Sequence, residues 1–320
     1  SNIIALLEGE SGVQPNGDLG TSLLLNCHYD SVPFALGASD NVVFCAIMAE
    51  TLHRLSQRTT KFKHNLIFLF NGAEENPLQG SHAFLQHPWA KNITAVVNLD
   101  AAGMNGKANL FQVLDPRLAR AYGRSTNRPS AQSFGEFLFS SGIVPSDTDF
   151  RIWRDFGKFY GIDIAFVKWG NVYHTRNDRP ELLAPGVLQA AGDMFYTLVG
   201  TIADMPELAD KAEPETIVYY DFLNSFMVSY PLWASYIVDP LIVVVALASV
   251  GYYVHIVGSR ECITRLVEFN LFMVTFPLRH RGPHSSIKVQ ITSNPNKWLY
   301  TRHLSDYAPR KIYCGSLSRG

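Results

Sequence analysis

The stretch SLLLNCHYDS, residues 22–31, decides the fold: a strand-like run, Ser22–Cys27, ends on a histidine and, two positions later, an aspartate. A short apolar run closed by polar residues is the pattern of a β-strand. The arrangement returns downstream, where Leu66–Phe70 runs into Glu74 and Glu75, and Ala95–Leu99 stops at Asp100. Ile3–Leu7, Leu110–Val113 and Ile162–Val167 are three further strand candidates. Between them the period changes. Over residues 42–57 the apolar positions Phe44, Met48, Leu52 and Leu55 form one stripe of a helix. Pro185–Ile202 repeats that stripe, and Asp115–Ser125 and Ala131–Ser140 are weaker versions. Strands alternating with helices predict the α/β class, a central sheet flanked by helices. In open sheets of this class ligands gather beyond the carboxyl ends of the strands. Three separate segments therefore deliver acids and a histidine to one edge.

The chemistry follows from charge. Asp30, Asp40, Glu74, Glu75 and Asp100, brought close together at low dielectric, repel by several kcal/mol, so a cation belongs among them. His28 and His174 point to a borderline metal, with zinc leading, because imidazole plus carboxylate is a catalytic zinc donor set. Cysteine is absent from the set, which argues against a closed structural zinc. In an extended turn after a strand, adjacent side chains point to different sides. One member of the Glu74–Glu75 pair can therefore bind metal while its neighbour moves protons. The alternate spacing of His28 and Asp30 suits an aspartate that orients the imidazole. GASDN (37–41) follows a Gly37 turn, and VYHT (172–175) lies far downstream. Each phrase alone is a common string; their joint occurrence carries the reading. His53, His64, His82 and His87 lack carboxylate neighbours in sequence and read as surface or core residues.

A net charge of −1 conceals two unlike parts. Residues 1–215 hold 17 Lys/Arg against 23 Asp/Glu, whereas residues 258–320 hold 10 against 3. From Thr216 to Val257 there is no Lys or Arg. Within that gap Leu241–Gly258 is almost wholly apolar, is opened by Asp239-Pro240 as cap and first turn, and is followed by Arg260 and Arg265. The expected organisation is a zinc-site domain over 1–215, an interfacial segment and candidate transmembrane helix over 216–258, and a basic tail of unknown structure over 259–320. A lipid bilayer is the expected partner of residues 241–258, and no nucleic-acid partner is expected. Tyr219, Tyr220, Trp233 and Tyr236 mark Ile217–Val238 as interfacial. With a cytoplasmic tail the acidic domain is lumenal, a side compatible with the sequon Asn92-Ile93-Thr94. Cys27, Cys45, Cys262 and Cys314 form no disulfide framework and read as buried or free thiols. The chain opens directly in a strand-like run, so any targeting segment is expected to precede it.

HYDSV, GASDN, IFLFNGAEEN, GSHAFLQHPWA, PSDTDFRIWRDFG, GIDIAFV and YHT, which together cover roughly residues 1–205, resemble signatures of the co-catalytic di-zinc aminopeptidase family. The similarity is greatest to its endoplasmic reticulum metallopeptidase (Felix-ina) branch, in which a lumenal peptidase domain is joined to a multi-spanning membrane region. The resemblance implies a mixed, mostly parallel sheet and two Zn2+ per chain. It makes Asp40 the bridging ligand, with His28 and Asp100 completing one zinc and Glu75 and His174 the other. Glu74 becomes the general base, and Tyr173 resembles the donor to the tetrahedral oxyanion. The Asp40–Asn41 peptide is expected to be cis. Asp147 and Asp149 resemble a segment near the site. Loops around 103–109 and 141–160, with Phe150, Arg151, Trp153 and Arg154, are expected to line the pocket. The implied function is a zinc-dependent exopeptidase of aminopeptidase type acting on peptide or protein substrates at the endoplasmic reticulum membrane. Two rivals share the fold: a single-zinc glutaminyl cyclase-like acyltransferase, and a zinc-free scaffold or receptor. The complete ligand set disfavours both.

Overall fold

The computed structural model describes residues 1–144, 146–258, 261, 263–265 and 267; the rest of the basic tail, including Arg260, Cys262 and Cys314, lies outside the described residues. The chain divides into two units, Ser1–Val245 and Ala246–Gly320. The first is built on six strands: β1 (Ile3–Leu7), β2 (Ser22–His28), β3 (Asn65–Asn71), β4 (Ile93–Ala101), β5 (Asn109–Val113) and β6 (Gly161–Phe166). Their order across the sheet is β1-β3-β2-β4-β6-β5. β3, β2, β4 and β6 run parallel, and β1 and β5 flank them antiparallel. The sheet is thus mixed and mostly parallel, as expected.

Side-chain alternation along the central strands feeds two cores, one on each face. Leu23, Leu25 and Cys27 of β2, Leu66 and Phe68 of β3, and Ala95, Val97 and Leu99 of β4 point to one face. There they meet α1 (Val43–Ser56) and α6 (Val187–Ala203) through Phe44, Ile47, Met48, Phe195, Leu198 and Val199. Leu24, Ile67, Leu69 and Val96 point to the other face. That face is closed by Phe84 of α2 (Gln79–Phe84), by Phe150 and Ile152 of the short α5 (Phe150–Ile152), and by Trp153. Phe150 and Trp153, expected to line a pocket, are therefore fully buried core residues. Within that core the Trp153 ring packs edge-on against Phe84, with centroids 5.9 Å apart. α3 (Pro116–Ser125) starts as its sequence requires: Asp115 accepts from the Arg117 N–H at 2.9 Å, and Pro116 takes the first helical position. α4 is Ser133–Ser140.

Two readings around residues 216–258 change. Part of the stretch read as interfacial is a hairpin of β7 (Ile217–Phe222) and β8 (Phe226–Pro231). Ile217 and Tyr219 are buried in the first core, and the Ala131 N–H donates to Asp221 at 3.0 Å. Alternation of the buried Ile217 and Tyr219 with the more exposed Val218 and Tyr220 fits a strand covered on one side. The apolar helix α7 (Leu232–Val257) begins at the end of β8, with no linker, so Pro240 lies inside it and is not its opening turn. A proline removes one backbone hydrogen bond, which the turns on either side can carry across. At 26 residues and roughly 1.5 Å per residue the helix is about 39 Å long, long and apolar enough to cross a membrane.

Candidate metal centre

Every candidate ligand stands at the carboxyl end of a parallel strand or on the loop that follows one. His28 is the last residue of β2, Asp100 is the penultimate residue of β4, and Glu74 and Glu75 follow β3. Asp40 sits in the wide turn Ala38–Val42 that leads into α1, and His174 lies on the loop after β6. The fold brings them into two trios that share Asp40. His28 Nε2 lies 3.1 Å from Asp40 Oδ1 and 3.4 Å from Asp100 Oδ1. His174 Nε2 lies 3.1 Å from Asp40 Oδ2 and 3.2 Å from Glu75 Oε2. In each trio the facing donor atoms fall within 4.8 Å of one another. The first trio is buried throughout; the second opens to solvent through His174. Glu74 belongs to neither. The Asp40–Asn41 peptide is cis, as the resemblance implies.

Neighbouring groups hold these side chains in place. Asp30 does more than its spacing suggests: its two oxygens accept the Glu74 and Glu75 N–H groups, each at 3.1 Å, and so fix the acidic turn. His28 Nδ1 lies 3.1 Å from the Asp30 carbonyl oxygen. The Ala101 N–H donates to Asp100 Oδ1 at 2.7 Å, and Asn41 Nδ2 donates to the Leu99 carbonyl at 2.6 Å, tying the turn of Asp40 to the end of β4. Asp149 is buried and accepts from Asn26 at 2.9 Å and Asn71 at 2.7 Å, so it cross-links β2 and β3 just below the site. Asp147 pairs with Arg154 at 3.4 Å. His64 is a structural residue between Thr21 Oγ1 and the Met205 carbonyl, at 2.6 and 2.8 Å.

The residue that sequence reasoning missed is Asp178. It is fully buried and accepts the Ser39 N–H and hydroxyl, both at 2.8 Å, and the Asp40 N–H at 3.1 Å. Asp178 thereby holds the turn that aims Asp40. Its one sequence signal is an acid four residues after His174 in a polar loop, which no periodicity sets apart. Asp178→Asn is expected to lower zinc affinity about 10–100-fold, the usual cost of losing such a support, measured by competition with a chromogenic chelator.

The electrostatics test whether a metal fits. Burial would pull the His28 imidazole down, but Asp100, Asp30 and Asp40 hold it well above its ordinary value. Burial alone would raise Asp40, yet His174 and His28 hold it below the usual carboxylate range. Burial, then the Asp100 charge, pushes Glu74 up to about 10. Burial, then the Asp40 charge, pushes Glu75 up to about 7. Glu75 Oε1 is buried without a hydrogen-bond partner. A crowd of carboxylates raising one another, an orphaned oxygen and two imidazoles facing inward make a donor set short of positive charge. Nitrogen and oxygen donors without thiolate suit catalytic zinc. The residues fit the metal.

With the geometry in hand, comparison with known proteins is direct. Peptidase family M28 matches residues 2–199. The chain is similar to endoplasmic reticulum metallopeptidase 1 of Homo sapiens, with 42% identity over 248 residues, 76% of this chain and 27% of that protein. It is similar to a vacuolar membrane protease of Yarrowia lipolytica, with 32% identity over 264 residues, 82% of this chain and 26% of that protein. The chain thus spans about a quarter of the length of these curated relatives. In fold it resembles BSAP, a zinc aminopeptidase from Bacillus subtilis, at a TM-score of 0.50 and 19% identity, over 67% of this chain and 52% of that one. With more than half of its length matched, the chain belongs to peptidase family M28.

Proposed function

We propose that the protein is a zinc-dependent exopeptidase of aminopeptidase type, holding two Zn2+ in the trios His28–Asp40–Asp100 and Asp40–Glu75–His174. One observation carries this reading: Asp40 turns one oxygen to each histidine, 3.1 Å away in both cases. A carboxylate so placed can serve two cations, and a lone zinc would leave one imidazole facing it idle. That favours two metals over the single-zinc cyclase chemistry. Zinc bound there would supply Lewis acidity toward the substrate carbonyl and lower the pKa of the attacking water.

The chain's own groups do the rest. Glu74, outside both trios, takes the proton from the attacking water and returns it to the leaving amine. Tyr173 stacks on the His174 ring, with centroids 3.6 Å apart. Burial and the charges of Asp40, Asp100, Glu75 and Glu74 raise its hydroxyl pKa, so the hydroxyl stays a hydrogen-bond donor, as an oxyanion needs. His28, Asp100 and Asp40 are buried, which keeps bulk water from their inner faces.

The wider assignment is a peptidase domain over residues 1–215 with the hairpin 217–231 packed against it, a bilayer helix that includes residues 241–258, and a basic tail from 259. The site of action is the endoplasmic reticulum membrane with the peptidase domain lumenal. The relatives' names and the run without Lys or Arg before a basic tail support it. Zinc per chain by elemental analysis, together with amino-acid release from unblocked peptides, tests the chemistry. About two zinc with turnover supports it; about one zinc with cyclisation of N-terminal Gln supports the rival. Chelation is expected to lower the melting temperature, since at a free zinc concentration of 100 times Kd binding contributes about 2.7 kcal/mol, and unchanged melting would argue against a resident metal. Protection of the peptidase domain from added protease in sealed microsomes tests the orientation.

A further inference from the structure

Residues 1–215 are acidic overall, yet α3 carries three arginines and no acid. Arg117, Arg120 and Arg124 follow one another at steps of three and four positions, the spacing of one helix face. They line a cavity of about 370 Å³ whose other walls are Thr201 of α6 and, just after that helix, Met205 and Glu207. Like charges at this spacing repel, so an anion among them would relieve the helix.

Arg117 is already engaged. Its Nε and Nη2 donate to Asp115 at 3.0 and 2.8 Å, and its Nη1 donates to the carbonyls of Glu207 and Asp210. Arg120 and Arg124 are exposed and, among the described residues, neither has an ion-pair partner; Glu207 shares their cavity without reaching them. The adjoining cavity supplies the contrast. It too is lined by Thr201, but its arginines are paired, Arg54 with Glu50 at 2.6 Å and Arg58 with Asp204 at 2.8 Å. Unneutralised charge therefore marks the α3 groove and not its neighbour.

Position in the fold decides the kind of anion. The Leu232 N–H, at the start of α7, donates to the Thr216 carbonyl at 3.3 Å, and the Glu215 N–H donates to the Leu114 carbonyl at 3.4 Å. Leu114 precedes Asp115, the cap of α3 that holds Arg117. The foot of α7 is thus tied through residues 216, 215 and 114 to the end of α3 where the groove begins. Trp233 and Tyr236, in the first turns of α7, are 65% and 73% exposed, and these two residue types gather at the level of lipid headgroups. The Leu114 and Asp115 N–H groups donate to the carbonyl of Gly161, the first residue of β6, at 2.8 and 3.2 Å. The groove therefore starts at the amino end of β6, whereas His174 follows its carboxyl end.

Resting on the reading of α7 as a bilayer helix, we propose that Arg120 and Arg124, backed by Arg117, bind the phosphate of a lipid headgroup at the bilayer surface beside α7. A guanidinium presents a planar fork of N–H donors that matches phosphate oxygens in pairs. Its long apolar stem lies along the protein surface while the charged end reaches the headgroup. A headgroup held there gives the domain a second fastening besides α7, at the end of the sheet opposite the metal centre.

The test uses the full-length protein in phosphatidylcholine nanodiscs and in phosphate-free maltoside micelles, the latter with and without inorganic phosphate. Modification of accessible arginines by phenylglyoxal is followed residue by residue by mass spectrometry. Arg176, exposed on the loop after β6, is the reference. Relative to it, Arg120 and Arg124 should react about tenfold more slowly in nanodiscs than in phosphate-free micelles, the worth of one hydrogen bond to a charged group. Arg124→Gln should restore the reactivity of Arg120 in nanodiscs and leave the melting temperature and peptide turnover unchanged. Insertion is read separately, as resistance to alkaline carbonate in phosphatidylcholine vesicles. Equal reactivity in nanodiscs and micelles from a chain that resists carbonate overturns the proposal and leaves the bilayer reading standing, whereas a chain released by carbonate overturns the bilayer reading itself. Slowing by inorganic phosphate with none in nanodiscs makes the groove a site for a soluble anion and overturns the lipid assignment. Slowing of Arg120 that persists in Arg124→Gln is general shielding by the bilayer and overturns the two-arginine site.

Discussion

Glu74→Gln is expected to reduce kcat by roughly 10^2–10^4 while zinc content stays at the wild-type level. The substitution keeps the side chain's shape and removes its ability to carry a proton. Three observations isolate that effect. Glu74 lies outside both trios, so no ligand atom is lost. Its N–H donates to Asp30 at 3.1 Å, so the turn keeps its fixed point whatever the side chain. The side chain is pushed up to about 10 by burial first and by Asp100 second, so in the cluster without a cation it holds its proton. Positive charge held in the neighbouring trios would oppose that rise and favour the ionised form that a general base needs. His174→Ala is the comparison, because it deletes a donor and should lose metal as well as activity. Elemental analysis beside steady-state kinetics separates the two. Equal metal loss in both variants would reverse the roles of the glutamate pair and make Glu74 the ligand.

What the sequence made legible, and what it hid, divides along the range of the forces involved. β2, β3 and β4 were visible because each is a short apolar run with a polar stop, and the stop is where the chain leaves the sheet. α1 and α6 were visible because one buried face imposes the helical period. The convergence of His28, Glu75, Asp100 and Asp40 could be anticipated because parallel strands end at the same edge. Asp178 was hidden because it acts across 138 positions on the Asp40 N–H, and a long-range hydrogen bond leaves no local pattern. Phe150 and Trp153 misled for a related reason. Their place in the stretch around 141–160 suggested a pocket, whereas Phe150 of α5 and Trp153 just after it both pack into the second core. Pro240 misled because in a long apolar helix a proline need not mark the start.

Asp40→Asn has the second large effect, and it follows from sharing. If Asp40 serves both trios, losing its charge should empty both, giving about zero zinc per chain and a loss of activity greater than about 10^3, as expected where a residue acts as part of a unit. The amide offers one oxygen, and its NH2 turns donor hydrogens toward an imidazole nitrogen that needs an acceptor or a metal. His174→Ala, by contrast, spares the buried trio of His28, Asp40 and Asp100, so about one zinc should remain. The graded series of about two, one and zero zinc in wild type, His174→Ala and Asp40→Asn distinguishes a shared carboxylate from two independent sites. Melting carries the same information. The wild type should lose stability to a chelator, His174→Ala should lose less, and Asp40→Asn should not respond at all. An Asp40→Asn protein that kept one tightly bound zinc would mean that the carboxylate belongs to a single trio. The 3.1 Å approach of its other oxygen to the second histidine would then be a hydrogen bond and not a trace of bridging.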